Sequence, residues 1–147
     1  MNVQIANIHQ AEKIYTLIEE NEILHAVASR TTEFDNLDCD DLDIEEVECV
    51  AQTLYDIASS GLMCGYSGFI YTNDLCNFYD EHREAISNAF EMADEFGLEP
   101  METICRGLAV ADVVALNEKA KCNYAIFAIE FTCSIFVNDI YDIEVLE

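Results

Sequence analysis

Residues 33–48 read EFDNLDCDDLDIEEVE, and nine of these 16 positions are Asp or Glu while none is Lys or Arg. Carboxylates this dense can hold a cation or present negative charge to a basic partner. A calcium loop of the EF-hand type needs carboxylates at loop positions 1, 3 and 5, Gly at 6 and Glu at 12. Started at Asp38, that register puts Leu42 at the fifth place, Asp43 at the sixth and Cys49 at the twelfth. Started at Asp41, it puts Glu46 at the sixth and Gln52 at the twelfth. Both registers fail, so no metal ligands and no cofactor are expected.

Presenting charge needs only spacing. Carboxylates three or four residues apart on a helix stand about 5–6 Å from each other, comparable to successive phosphates on a DNA strand. Glu45 with Glu48 has that spacing, and Asp80, Glu84, Glu91 and Glu95 lie along one predicted helix face. Acids on one helix are ordinarily a solvated face. Ordinary faces mix both signs, whereas here nearly every predicted helix carries acids with hardly a Lys beside them. The partner-binding candidates are therefore Glu33, Asp35, Asp38, Asp40, Asp41, Asp43, Glu45 and Glu48, with Asp80, Glu84, Glu91 and Glu95 as a second group.

Catalysis has little support in the sequence. The histidines are His9, His25 and His82, and none belongs to an HExxH motif; no GxSxG and no phosphate-binding glycine loop occurs. His82 sits in DEHRE, which reads as a surface position. The seven cysteines, at 39, 49, 64, 76, 105, 122 and 133, are odd in number, irregularly spaced and without a CxxC. They read as reduced, mostly buried small hydrophobes, which fits a cytoplasmic protein. The start of the chain, MNVQIANIHQ, lacks the basic and apolar regions of a signal peptide.

These residues must be carried by a folded frame, and composition supplies one. The chain has 147 residues, 52% of them hydrophobic, with 7 Tyr and 8 Phe. That is too apolar and aromatic for a disordered acidic tail and is the size of one domain, 1–147. The net charge is −24, from 30 acids and 6 bases. A compact chain of this length is about 40 Å across. Duplex DNA carries one charge per about 1.7 Å of axis, so about 24 charges over that length. The charge density matches that of DNA. It disfavours direct nucleic-acid binding, for want of a basic patch, and repels anionic lipid. The most apolar stretch, 124–137, is too short to span a bilayer.

The single proline is Pro100, and glycines occur only at 61, 65, 68, 97 and 107. Such sparse punctuation predicts long helices. Apolar spacing predicts helices over 10–29 and 43–59, the second capped by Asp43 and stopped by Gly61. A loop over 31–41 separates them. Residues 61–71 predict a tight turn with a short extended or hairpin piece near 62–71. Thr72 caps a short helix to Tyr79, and a further helix covers 80–96 and stops at Gly97. Short helices are expected over 99–106, with Pro100 in its first turn, and over 109–116. Residues 123–137 are rich in β-branched and aromatic side chains, which favour strand, but no turn residue interrupts them, so a buried helix is expected. The fold class is mainly α: a compact single-domain fold of about five to six helices.

Residues 61–86 place Gly61, Gly65, Gly68, Ile70, Tyr71, Asp74 and Phe78 in one block, and 123–131 place Asn123, Phe127, Ala128 and Glu130 in another. This pattern resembles a family of small bacteriophage proteins of unknown function. Thr72, Leu75 and Ile126 depart from that family's Tyr, Thr and Trp. The resemblance implies phage origin and no established activity. The physical reading of the matched positions is structural, with glycines for a turn and Phe and Tyr for the core.

Charge and resemblance together point to an anti-restriction or anti-CRISPR protein in the host cytoplasm. It would be a DNA mimic, not an enzyme, that occupies the basic groove of a host nuclease or CRISPR complex. The alternative is a module that binds a host or phage protein through an apolar surface, with the acids serving solubility. A homodimer is compatible with either.

Overall fold

The computed structural model describes residues 2–60, 69, 71–97 and 118–146. These residues form an all-α fold of six α-helices: α1 (Ile8–Glu20), α2 (Glu22–Thr31), α3 (Ile44–Ser60), α4 (Thr72–Glu81), α5 (Arg83–Glu95) and α6 (Glu118–Asp142). The helices expected at 99–106 and 109–116, and the turn at 61–68, lie outside the described residues. No strand forms among the described residues beyond one isolated bridge between Val3 and Leu146.

The single helix expected over 10–29 is two. Asn21 breaks it with extended backbone at φ −99° and ψ 116°. Its Oδ1 then accepts the Leu24 N–H at 3.0 Å, which caps α2. At the start of α1, Asn7 Oδ1 accepts from Gln10 N, and Gln10 Oε1 accepts from Ala6 N in return. The hydroxyls of Thr31 and Thr32 donate to the Val27 and Ala28 carbonyls and close α2. A 3-10 turn, Phe34–Asn36, lies within the predicted loop. Asp43 caps α3 as expected, its Oδ1 accepting from Glu45 N at 2.9 Å. The cap of α4 is Tyr71 and not Thr72, and α4 runs on to Glu81, so that His82 alone separates it from α5. Gly97 ends α5 in the left-handed conformation, φ 69°, where a side chain would be strained.

Helix α6 is the axis of the fold, packing against α2, α3, α4 and α5. Tyr124, Ala125, Ala128, Ile129, Thr132, Cys133, Phe136 and Ile140 form its buried stripe. The helical period decides between the two readings of this segment, since burial recurs every third or fourth residue. Its β-branched and aromatic residues serve packing. Phe90 sits tilted between Tyr124 and Phe127, each ring centroid 4.7 Å away, and Phe127 stacks on Phe131 at 5.9 Å. The helix spans 25 residues, about 38 Å. The sequence expectation of a stretch too short for a bilayer is thereby corrected: by length and hydropathy α6 could cross one. Here it packs against four other helices.

The first residues are tied to both ends of the core. Val3 N donates to Gln52 Oε1 at 2.7 Å, and Ile5 N donates to Glu48 Oε1 at 3.1 Å. Gln4 N donates to the Val145 carbonyl. Just before that contact Glu144 takes φ 61°, which turns the chain out of α6 and back toward Val3.

Candidate functional site

The 33–48 segment wraps from the end of α2 through the 3-10 turn into α3. Its frame is held by buried Phe34, Val47 and Val50, with half-buried Leu37, Leu42 and Ile44 packed against the same core. The apolar residues point inward and the carboxylates outward: Glu33, Asp35, Asp38, Asp40, Asp41, Asp43 and Glu45 are all exposed. Asp38 Oδ1 accepts from Asp40 N at 3.0 Å and its carbonyl accepts from Asp41 N at 3.1 Å, so the tip of the segment is a defined turn. Asp35 accepts from Ser29 Oγ at 2.9 Å and lies 3.6 Å from His25 Nε2. Among the described residues no Lys or Arg forms an ion pair with any acid of this segment.

Two members depart from a free charged surface. Glu48 is half-buried and holds the Ile5 N–H, so it clamps the first residues to α3. Asp43 is committed to its helix cap. Sequence marks Asp43 as a cap but could not set Glu48 apart from the rest, because the first residues reach Glu48 only through the tertiary fold.

The second group divides too. Asp80 sits 3.1 Å from Lys121 Nζ and 3.3 Å from Arg83. The Lys121 hydrogen bond, then that of Arg83, hold its carboxyl below the usual carboxylate range against a partly opposing desolvation. Next to it Arg30 pairs with Glu81 and covers the Phe78 ring, 5.0 Å from guanidinium to centroid. His82 is largely shielded, its side chain 18% exposed, with Nδ1 3.1 Å from Glu22 and its ring 4.7 Å from that of Phe78. The surface position expected for His82 is thus corrected: it is the centre of a charge-paired knot where α4 meets α5. Glu84, Glu91 and Glu95 remain exposed along α5.

Neither a metal centre nor a relay is built from these parts. Asp38, Cys39 and Asp40 bring one ligand atom each within 4.8 Å of one another, all exposed. Two hard oxygens and one soft sulfur on a solvated turn suit no cation well, since calcium wants six to eight oxygens. In the group Ser29–Asp35–His25 both the hydroxyl and the imidazole face the carboxylate. The imidazole therefore does not take the serine proton, as a nucleophilic relay requires.

Of the described cysteines, Cys76 and Cys133 are buried and Cys122 half-buried, whereas Cys39 and Cys49 are exposed and depart from the expected burial. Burial, with Glu130 adding to it, pushes the Cys133 thiol up to about 12 and leaves it inert. Cys64 and Cys105 lie outside the described residues. Of the positions that carry the family resemblance, Phe78 and Ala128 are buried, whereas Tyr71 is 68% exposed and not in the core. Gly61, Gly65, Gly68 and Ile70 lie outside the described residues.

Among the clefts of the described surface are three built by residues from separate helices. One of about 280 Å³ runs beside the acidic segment between Glu33, Leu37, Glu46, Cys49 and Val50. Another, about 480 Å³, lies between α1 and the end of α6, lined by His9, Lys13, Asp139 and Asp142 among others. The third, about 460 Å³, lies between α5, α6 and the α1–α2 corner. Sequence reading anticipated none of them, because each is made by residues from separate helices.

Residues 20–142 match the model of a family described as a domain of unknown function, DUF7222. No curated protein and no solved structure matches the chain.

Proposed function

The chain belongs to DUF7222, a family whose description carries no activity, and from that premise we propose that it is a charge-based inhibitor. It acts as an acidic DNA mimic of bacteriophage origin, anti-restriction or anti-CRISPR, in the host cytoplasm. One observation carries this reading: the 33–48 segment is an exposed run of carboxylates on a fixed turn and helix start, with no Lys or Arg paired to it among the described residues. Self-repulsion makes such a surface unfavourable for the isolated chain, and a basic groove relieves it. Charge complementarity also speeds the encounter, and occupancy alone then excludes nucleic acid without turnover.

The contact set narrows to Glu33, Asp35, Asp38, Asp40, Asp41 and Glu45, joined by Glu84, Glu91 and Glu95. Glu48 and Asp80 are already engaged within the fold. A pull-down from host lysate at low and at high salt tests this. A DNA-binding protein recovered only at low salt, and displaced by duplex DNA, is the expected result. Recovery at both salt concentrations of a protein that does not bind nucleic acid overturns mimicry and supports an apolar-contact module instead.

A further inference from the structure

We propose that the cleft between α5, α6 and the α1–α2 corner docks an amphipathic helix of a partner protein, one whose apolar stripe is flanked by Lys and Arg. This inference shares Glu84, Glu91 and Glu95 with the surface proposed above, but it rests on the apolar trough and not on the 33–48 segment. Helix α5 supplies Glu84, Ala85, Asn88, Ala89 and Met92, which recur at the spacing of one stripe about 12 Å long. Helix α6 supplies Phe131, Thr132 and Ile135 as the opposite wall. The two walls form an open trough of about 460 Å³. Ala85 and Ala89 let a docked backbone approach closely. Met92, 46% exposed, is an adaptable contact for aliphatic side chains. A helix laid in such a trough inserts residues at i, i+3 or i+4, and i+7.

The rim selects the flanks of that helix. Glu20 and Glu22 close the end at the α1–α2 corner, and Glu84 stands above the α5 wall. Glu91 and Glu95 continue along α5 and are exposed. Glu22 shares His82, but among the described residues no Lys or Arg pairs with Glu20, Glu84, Glu91 or Glu95. A basic flank therefore gains attraction along the α5 wall and at the α1–α2 end of the trough. A second copy of this chain would bring the same carboxylates against each other, which like-charge repulsion disfavours. Anionic lipid is disfavoured on the same ground.

The probe is a Leu/Lys amphipathic helix of about 14 residues, some 21 Å long, with a Leu/Glu peptide of the same pattern as control. Titration into the full chain is followed by amide chemical shifts. The expected result is micromolar binding of the Leu/Lys peptide alone, with the largest shifts at Ala85, Ala89, Met92 and Ile135. The double variant Glu84→Lys, Met92→Lys changes two exposed side chains, and its fold is checked by circular dichroism. It should weaken binding at least about tenfold, or 1.4 kcal/mol. Neutralising Asp38, Asp40 and Asp41 to Asn should change it less than about twofold, within the range of remote surface charges. If the Asn variant loses the peptide and the Lys variant keeps it, the acidic segment is the binding face and the inference fails. It fails equally if neither peptide binds, or if the free chain forms a dimer that Met92→Lys dissolves.

Discussion

Around His82, Asp80 faces Lys121 and Arg83, Glu81 faces Arg30, and Glu22 faces the imidazole. Along 33–48, among the described residues, the one ion-pairing partner of any acid is His25, beside Asp35. The chain has six Lys and Arg in all, and three of them converge on the one junction between α4 and α5. A protein with so few cations reveals by their placement where attraction holds the fold and where repulsion is left standing. The junction is structural, and the 33–48 segment is a surface that carries charge outward.

Breaking that contrast starts with Arg30. Its guanidinium pairs with Glu81 and covers Phe78 and Phe69 at 5.0 and 5.8 Å. Arg30→Ala removes a half-shielded cation from two rings and a carboxylate, and should lower stability in urea unfolding by about 2–3 kcal/mol. Arg30→Lys should recover only part of this, since an ammonium lacks the planar stacking surface. A loss below about 0.5 kcal/mol, the level of an ordinary exposed pair, would erase the distinction.

The opposite sign is expected in the acidic segment. Converting Asp38, Asp40, Asp41 and Glu45 to amides keeps the turn acceptors and removes like charges. Stability should rise by about 1 kcal/mol at low salt, a gain that shrinks in about 0.5 M salt as screening takes over. A drop in stability would make the segment structural as well.

Two single carboxylates sharpen the contrast with smaller effects. Asp80 titrates below its ordinary value because of Lys121 and then Arg83. Its contribution is therefore present above the unfolded carboxylate pKa of about 3.9 and lost as pH falls through the lower folded value. Asp80→Asn should be less stable than the parent at pH 7, with the gap closing only below that range. Asp139 is the reverse case. Burial first, then Asp142, raises it, so the folded state holds its proton more tightly and stability is lost as pH rises through the folded value. Asp139→Asn should be slightly more stable at pH 7, by a few tenths of a kcal/mol at most, and equal to the parent below about pH 3.9. Urea midpoints at a series of pH values measure both.

Most of the helical frame was legible because burial and apolar spacing coincide. Val47, Val50, Ala51, Leu54 and Ile57 give α3 both in the sequence and in the structure. The break at Asn21 has a signal in the sequence, a slip in the apolar stripe. After Ile14 and Ile18 a continuous helix wants apolar residues at 21, 22 or 25, but these are Asn, Glu and His. The stripe restarts at Ile23, Leu24 and Val27. An Asn followed by Glu at that slip is a cap and first turn. The exposed acids of 33–48 were legible as a dense run. The engagement of Glu48 by Ile5, of Asp80 by Lys121, and the trough between α5 and α6 were not. Each joins residues at least 41 positions apart or on separate helices, and periodicity along one segment carries no information about that.

The bridge between Val3 and Leu146 brings the two ends of the described backbone side by side, nearly closing a ring. A short flexible linker could join its two ends with little loop-closure entropy, and new ends could then be cut elsewhere. Opening such a ring between Asp40 and Asp41 would leave every described helix uncut while freeing the acidic turn from its own tether. The order in which the chain is threaded could thus be separated from the charge pattern it displays.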